Sequence, residues 1–190
     1  MHICRSAGIV SVRAPAKINL FFEVLAKRAD GYHEVETLMC PIDLYDTITF
    51  REDPSGQVQL SSKQVFGAGG RRRARSGGTG GDVLPEGRDN LVVRAVELVR
   101  QTAGVQRGAA VRLVKRIPMA AGLGGGSSDA AAALVAANIG WDLNLGPDVL
   151  LRLAAQLGSD VPFFLAGSAA VCRGRGERIE PIDRMASLHL

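Results

Sequence analysis

The residues best suited to chemistry lie in one stretch, PMAAGLGGGSSDAAAAL at 118–134, whose glycines are Gly122, Gly124, Gly125 and Gly126. Because glycine has no side chain, the backbone N–H groups of such a loop can approach a large anion closely. The alanine-rich segment that follows predicts a helix from about Ser127 to Asn138. The residues suited to its N-cap or first turn are Ser127, Ser128 and Asp129. A helix N-terminus beside a glycine loop is typical of phosphate sites, and we predict a triphosphate ligand.

Two better-known nucleotide motifs do not fit this loop. The phosphate loop of P-loop NTPases requires a lysine and a Ser or Thr after its last glycine, and no lysine follows Gly126 here. A dinucleotide fingerprint requires G-x-G-x-x-G in a βαβ unit, whereas GLGGGS supplies only the first two glycines. A tight strand-to-helix corner without a ligand is the remaining alternative, and the density of glycine favours the anion site.

Two isolated charges are candidates for phosphoryl transfer, which needs charge stabilisation and a group that takes the proton of an acceptor hydroxyl. Lys17, in APAKINL, is a lone cation within an apolar strand, where an unpaired charge is unfavourable. Asp160, in GSDVPFF, is a lone carboxylate in a turn that leads into an apolar segment. An ion pair between them would satisfy both charges. Each also has a simpler interpretation: Lys17 could extend its amine to solvent at a sheet edge, and Asp160 could cap a turn.

The composition is that of a soluble globular domain with enough apolar material for a core. Of the 190 residues, 46% are hydrophobic and 22% charged, and the mean hydropathy is +0.10. We find no apolar run near the roughly eighteen residues that span a bilayer, and no secretory segment at the start, so we expect a cytoplasmic location. The three cysteines are scattered and form no CxxC pair, which predicts reduced thiols and no metal site.

The basic charge is concentrated in one segment. Four arginines within RRRAR account for the whole net charge of +4, and they belong to a Gly/Arg-rich stretch at 64–82 that we expect to be a disordered insertion. This concentration weakens the case for a nucleic-acid-binding surface on the domain itself.

The elements that must position these residues follow from hydrophobic periodicity and turn residues. In chain order they are two strands that meet near Pro15, a turn at Asp30 and Gly31, strands over 34–50 and 57–62, a helix from Asn90 to about Gly104, a strand over 109–118, the helix after the glycine loop, a helix from Pro147 to Leu157 capped by Gly158, and a hairpin around 174–176. The order of strands and helices has no regular βαβ period. The predicted class is therefore α+β.

Three segments together resemble the 4-diphosphocytidyl-2-C-methyl-D-erythritol kinase family of the GHMP kinase superfamily (galactokinase, homoserine kinase, mevalonate kinase, phosphomevalonate kinase). They are APAKINLFFEVLAKRADGYHEVETLMCPIDLYDTITF, IPMAAGLGGGSSDAAAAL and LGSDVPFFL. The resemblance implies an amino-terminal α+β domain like domain 2 of ribosomal protein S5. It also implies transfer of the γ-phosphate of ATP, with Mg²⁺, to the 2-hydroxyl of a cytidine-diphosphate methylerythritol in non-mevalonate isoprenoid synthesis.

The resemblance also assigns roles to individual residues. The catalytic residues would be Lys17 and Asp160, and the acceptor substrate would contact Asn19, Tyr32 and His33. The ATP loop would consist of Pro118, Met119, Ala120, Ala121, Gly122, Leu123, Gly124, Gly125, Gly126, Ser127 and Ser128. The adenine pocket would be lined by Asn90, Leu91 and Lys115. Tyr32 offers a face for stacking on cytosine and His33 a ring with donor and acceptor nitrogens, although His33 alone would pass for an exposed polar residue.

The sequence departs from the family pattern after MASLHL, where family chains continue with a smaller carboxy-terminal domain and a third glycine-rich motif. We therefore expect residues 1–190 to form the ATP-binding amino-terminal domain without that partner domain. The expected partners are ATP and a small-molecule substrate, with no nucleic acid and no membrane. Three alternatives stay open: another GHMP small-molecule kinase, which would lack the DGYHE turn, an inactive nucleotide-binding fragment, and an S5-like nucleic-acid-binding module.

Overall fold

The structure is a computed structural model that describes residues 1–27, 29, 31–65 and 87–182. Its strands and helices in chain order are β1 (His2–Ser6), β2 (Ile9–Lys27), β3 (His33–Asp53), β4 (Val58–Gln64), α1 (Leu91–Thr102), β5 (Gly108–Lys115), α2 (Gly125–Gly140), α3 (Pro147–Leu157), α4 (Val161–Ala166), β6 (Ala170–Gly174) and β7 (Arg178–Pro181). A 3₁₀ turn, Gly87–Asp89, precedes α1. The insertion predicted at 64–82 lies outside the described residues from 66 onward, and Gln64 is the last residue of β4.

The described strands form one sheet in the order β1-β2-β3-β5-β4. Strand β3 is long enough to pair with two strands on the same side, with β5 through Thr47–Asp53 and with β6 through Val35–Met39. The pair β4–β5 is parallel and is connected through α1, whereas the other pairs are antiparallel. This mostly antiparallel sheet with segregated helices confirms the predicted α+β class.

Strand β2 runs without interruption through Pro15, so the prediction of two strands broken near that residue is wrong. Pro15 pairs with Tyr45 of β3, and the register shifts between Pro15 and Ala16. Proline cannot donate a ladder hydrogen bond, and an irregularity at this point lets the strand continue past it. The result is one long β2–β3 hairpin that carries Lys17 near its middle and the Tyr32 turn at its end.

Helix α2 lies at the centre of the core because its side chains are small and buried. Ala130–Ala133 and Leu134 have no exposed surface. A Cβ atom at Gly140 would lie 2.3 Å from the Phe50 ring, so the helix packs directly on the sheet. Phe50 in turn meets Trp141 edge to face, with ring centroids 5.1 Å apart. Helices α1, α3 and α4 pack around α2, which fixes the position of its N-terminus.

Helix α2 begins two residues earlier than predicted. It starts at Gly125, and its N-cap is Gly124, whose φ is 67°. Glycine adopts this left-handed conformation without a steric penalty, so the cap is a backbone feature and needs no capping side chain. Ser127 and Ser128 therefore lie inside the first turn, and the Ser128 hydroxyl has no hydrogen-bond partner among the described residues.

The remaining helix predictions are confirmed except for one segment. Asn90 caps α1, since its side chain accepts a hydrogen bond of 2.9 Å from the Val92 N–H. Helix α3 begins at Pro147 and ends at Leu157 as predicted. The segment after Asp160, expected as a turn into an apolar run, forms the short helix α4. None of the described helices is both long and apolar enough to cross a membrane.

The close packing of α2 on the sheet yields a stability prediction. We expect Gly140→Ala to lower the free energy of unfolding by about 1–3 kcal/mol, because the new methyl group overlaps the Phe50 ring and the core must shift. The matched control is Gly146→Ala at the N-cap of α3, where an added Cβ meets no atom within 4 Å. Urea unfolding of the two variants measures the difference, and equal destabilisation would contradict this description of the α2–sheet contact.

Candidate active site

Lys17 is buried in β2 with only 7% of its surface exposed, and it is held by three contacts. Its ammonium donates a hydrogen bond of 2.5 Å to Asn19 Oδ1 and lies 3.7 Å from Asp160 Oδ2. Its backbone N–H donates to the Leu123 carbonyl at 2.9 Å, which ties the glycine loop to β2. The structure thus brings together the two isolated charges of the sequence, and Lys17 does not extend to solvent at a sheet edge.

Asp160 occupies the residue before α4 but does not cap it, because its side chain makes no capping hydrogen bond. About one third of the side chain is exposed (32%), so a ligand can reach the carboxylate. On the other side lies the β6–β7 turn, where a Cβ at Gly176 would be 3.7 Å from Asp160 Oδ1. The carboxylate is therefore paired at one oxygen and bordered by backbone at the other.

Asn19 is oriented by Thr37, a residue that the sequence analysis missed. The Asn19 amide donates to Thr37 Oγ1 at 3.0 Å, and that hydroxyl donates to the Phe21 carbonyl at 2.7 Å. This relay turns Asn19 Oδ1 toward Lys17. Thr37 is fully buried on β3, and only the register between two strands reveals its role.

Beneath Asp160, the thiol of Cys172 is buried. Burial raises its pKa to about 11, and the Asp160 carboxylate acts in the same direction. Cys172 therefore stays a neutral thiol at physiological pH and adds no thiolate beside Lys17.

The glycine loop borders a cavity of about 380 Å³ between α1, β5 and α2. The predicted loop residues from Pro118 to Ser127 line this cavity, and so do the predicted adenine-pocket residues Asn90, Leu91 and Lys115. Ser128 does not line it, because its side chain is buried in the first turn of α2. The structure thus places the two predicted groups of nucleotide residues around one space.

At two positions of the loop, a neighbouring lysine side chain leaves no room for a Cβ atom. A Cβ at Gly124 would lie 2.9 Å from Lys17 Cγ and equally close to the Phe164 ring. A Cβ at Gly125 would lie 2.7 Å from Lys115 Nζ. At Gly122, whose φ is +73°, an added Cβ would meet no atom within 4 Å, so there glycine serves the backbone conformation. The loop is therefore packed between the two lysine side chains.

Lys115 belongs to a buried ion cluster that the sequence analysis did not foresee. Its ammonium lies 2.5 Å from Asp46 Oδ2 and 2.7 Å from Asp129 Oδ2. The other oxygen of Asp46 accepts the backbone N–H groups of Arg116 and Ile117. Asp46 lies in an alternating strand, and its partner Lys115 is on the neighbouring strand β5, so only the pairing of these two strands reveals the contact.

In this cluster the pKa values of Asp129 and of Lys115 are both raised. Burial raises the pKa of Asp129 well above its usual range, the Asp46 carboxylate raises it further, and Lys115 opposes the rise. Burial alone would lower the pKa of Lys115, but Asp129 and Asp46 outweigh it, so that pKa is raised. Lys115 therefore remains an ammonium ion.

Tyr32 and His33 lie at the end of the β2–β3 hairpin, both exposed to solvent. The Arg175 guanidinium lies over the Tyr32 ring, 4.8 Å from its centroid. Arg175 belongs to the same turn as Gly176, which borders Asp160. The β6–β7 turn thus connects the Tyr32 end of the hairpin to the carboxylate, and Arg175 is a site residue that no sequence pattern marked.

Comparison with known proteins agrees with this geometry. Residues 90–168 match the family described as GHMP kinases N terminal domain. The match covers the part of the chain from α1 to α4, and the chain has the fold of the amino-terminal domain of GHMP kinases. The class inferred from the glycine loop and from the Lys17 and Asp160 segments is confirmed.

Two similar sequences and one similar crystal structure are named as the same kinase of that class. A Pelotomaculum thermopropionicum protein named 4-diphosphocytidyl-2-C-methyl-D-erythritol kinase is 51% identical over 172 residues, which cover 90% of this chain and 54% of that protein. A Prochlorococcus marinus protein of the same name is 46% identical over 181 residues, covering 95% of this chain and 51% of that one. A crystal structure of 4-(cytidine 5'-diphospho)-2C-methyl-D-erythritol kinase superposes with a TM-score of 0.69 at 40% identity, covering 90% of this chain and 55% of that one. The chain thus spans about half the length of the relatives it matches.

The packing of Lys17 against the loop yields a second prediction. Gly124→Ala and Gly122→Ala both place a side chain at positive φ, so they share the same backbone strain of about 1–2 kcal/mol. Only Gly124→Ala also displaces Lys17 and Phe164, and we expect it to lower the free energy of unfolding by about 1–3 kcal/mol more. Urea titrations of both variants measure this. Equal losses would mean that Lys17 does not pack against the loop as described.

Proposed function

We propose that the chain supplies the ATP site and the acceptor-activating pair of a kinase. The reaction is phosphorylation of the 2-hydroxyl of 4-(cytidine 5'-diphospho)-2-C-methyl-D-erythritol, with a small molecule and ATP as partners. The observation that carries the proposal is the placement of Lys17. Its ammonium lies 3.7 Å from Asp160, while its backbone N–H holds the glycine loop. Lys17 thus connects Asp160, which can take a proton, to the glycine loop, which can bind phosphates.

The cavity beside the loop suits an adenine nucleotide. Its volume of about 380 Å³ is within the range of small-molecule sites, and its walls are mostly apolar with the polar side chain of Asn90 at one side. The phosphates would lie against the loop, where free N–H groups at the start of the 16-residue helix α2 favour negative charge. Asn90, Leu91 and the residues from Pro118 to Ser127 would contact the nucleotide.

Magnesium would reach the site with the triphosphate. The described residues hold no group of three or more His, Cys, Asp or Glu side chains that could bind a metal ion by themselves. Mg²⁺ commonly binds nucleotides through phosphate oxygens and retained water, so such a cage is not needed. The ion would supply charge neutralisation at the phosphates.

In the proposed reaction Asp160 accepts the proton of the acceptor hydroxyl. The freed oxygen forms a bond to the γ-phosphorus, the bond from that phosphorus to the bridging oxygen breaks, and its electron pair leaves with ADP. Lys17 would offset the negative charge of the γ-phosphate and hold the Asp160 carboxylate beside the acceptor hydroxyl. Asn19, fixed by Thr37, holds the ammonium in place through its 2.5 Å hydrogen bond.

The acceptor end of the site would lie along the β2–β3 hairpin. Tyr32 offers a ring for stacking on cytosine, and His33 offers hydrogen bonds to the base edge. Arg175, which lies over Tyr32, places a positive charge on the path from Tyr32 to Asp160. The diphosphate of the substrate lies between its base and its acceptor hydroxyl, so this charge suits it.

Replacement of the carboxylate tests the proton transfer. Turnover is measured for the chain alone and for a fusion of the chain with the remaining half of the Pelotomaculum thermopropionicum relative. In whichever form is active, we expect Asp160→Asn to reduce kcat by about 10²–10⁴-fold with little change in ATP affinity, because general-base assistance is lost. Asp148→Asn, an exposed carboxylate at the start of α3, is the control. Near-normal turnover of Asp160→Asn would exclude the proposed role.

Substrate identity is tested at the hairpin turn. We expect the same fusion to phosphorylate the cytidine-diphosphate substrate and not mevalonate, homoserine or galactose. Tyr32→Ala should raise the KM for the cytidine substrate by about tenfold, as the loss of one aromatic stacking contact implies, and leave the KM for ATP unchanged. Tyr45→Ala, at the chain's other tyrosine, is the matched control. Equal turnover of mevalonate would assign the chain to a different GHMP kinase.

A further inference from the structure

Directly behind the glycine loop, two carboxylates share one ammonium in a site closed to solvent. Lys115 lies 2.5 Å from Asp46 and 2.7 Å from Asp129, and the three side chains are 5%, 0% and 3% exposed. The cluster touches the loop itself, since a Cβ at Gly125 would lie 2.7 Å from Lys115 Nζ. Lys115 and Asp129 also line the proposed nucleotide cavity.

The charges of this cluster do not balance if both carboxylates are ionised. The ion pairs that the structure describes for Asp46 and Asp129 all run to Lys115, which leaves one negative charge in excess. An excess charge in a buried site is unfavourable, and the usual remedy is a bound proton. Two adjacent carboxylates therefore ionise one at a time.

The hydrogen bonds decide which carboxylate holds the proton. Asp46 accepts from the Lys115 ammonium and from the backbone N–H groups of Arg116 and Ile117, and all three donors stabilise its ionised form. Among the described residues Asp129 accepts a hydrogen bond from Lys115 alone, through Oδ2, and the neighbouring Asp46 carboxylate favours its protonated form. Its Oδ1 atom is buried and has no hydrogen-bond partner within the described chain.

We propose that Asp129 holds a proton in the folded chain, and that it is thereby a positioning residue which keeps the ion cluster behind the phosphates without net charge. The part of this proposal that concerns nucleotide rests on the proposed function. With the proton bound, Asp46 and Lys115 neutralise one another and the cluster has no net charge. Without it, a negative charge lies at the fifth residue of α2, where it opposes the polyphosphate on the same loop.

The other charged groups near the loop do not alter the difference between protonated and ionised Asp129. Lys115 from β5 and Asp46 from β3 are the groups that act electrostatically on Asp129. Lys17 of β2 packs on the opposite part of the loop, at Gly124, and Asp89 before α1 also lines the cavity. Both are retained in every variant below, so their titration cancels between variants.

The first experiment reads the proton directly, without nucleotide. The side-chain carboxyl carbons of the 190-residue chain are followed by ¹³C NMR from pH 5 to 9, and Asp129→Asn identifies the signal. We expect Asp129 to be protonated at pH 7, in keeping with the upward direction of its pKa. An Asp129 signal already ionised at pH 7 overturns the proposal.

The second experiment compares two Asp→Asn variants on the same lysine. Asp129→Asn resembles the protonated acid, so its urea midpoint should equal or exceed that of the wild type. Because the pKa of Asp129 is raised in the folded chain, wild-type stability falls as pH rises from the ordinary carboxyl pKa to the folded-state pKa, so the gain of the variant should grow across that window and then level off. Asp46→Asn removes the charge that holds Lys115 and should lower the midpoint at every pH. Equal losses in the two variants overturn the proposal.

The third experiment measures the effect on nucleotide. The ATP dissociation constant of the 190-residue chain is determined from pH 6 to 9 with excess Mg²⁺, for the wild type and for Asp129→Asn. At pH 6 the two dissociation constants should agree within about twofold. At pH values where the NMR titration shows that Asp129 has lost its proton, the wild type should bind ATP more weakly than the variant, on the order of tenfold. Parallel profiles across that titration overturn the positioning role. Absence of ATP binding at every pH would instead count against the proposed function, and the first two experiments would still decide the protonation.

Discussion

The hydrogen bond from the Lys17 N–H to the Leu123 carbonyl, 2.9 Å long, joins the central hairpin to the glycine loop. The same residue packs its side chain against Gly124, and this contact leaves no room for a Cβ atom there. Its ammonium then reaches Asn19 and Asp160. Because one buried residue makes all of these contacts, the loop and the carboxylate cannot shift independently. The proposed chemistry depends on that fixed relation.

A second lysine fixes the loop from the other side. Lys115 packs against Gly125 and binds two buried carboxylates, one on β3 and one inside α2. The two lysines differ in the carboxylates that they contact. Lys17 contacts Asp160, which is partly exposed, whereas Lys115 contacts Asp46 and Asp129, which are buried. We interpret the first as part of the reactive site and the second as its support. The small residues of α2 allow the helix to lie close enough to the sheet for both contacts.

Local patterns predicted most of the fold and marked Lys17 and Asp160, which the structure brings together. Asn90 and Pro147 marked their helices because capping and proline effects act within a few residues. Lys17 and Asp160 were recognisable because an isolated charge in an apolar segment requires a partner. The strand break predicted at Pro15 was wrong because a register shift in the β2–β3 pairing accommodates the proline within one long strand. Asp46, Thr37 and Arg175 could not be found, since their roles depend on pairings between segments far apart in sequence.

We propose that the loop held by the two lysines binds the phosphates of ATP, and backbone amide NMR can follow this binding residue by residue. The ¹⁵N-labelled 190-residue chain is titrated with ATP and Mg²⁺. The largest shifts should occur at the amides of 122–128 and at Lys17, whose N–H bonds to the loop, with smaller shifts at Asn90 and Leu91. Cytidine diphosphate should instead shift Tyr32 and His33. If ATP moved amides elsewhere and left 122–128 unchanged, the loop would not be the phosphate site.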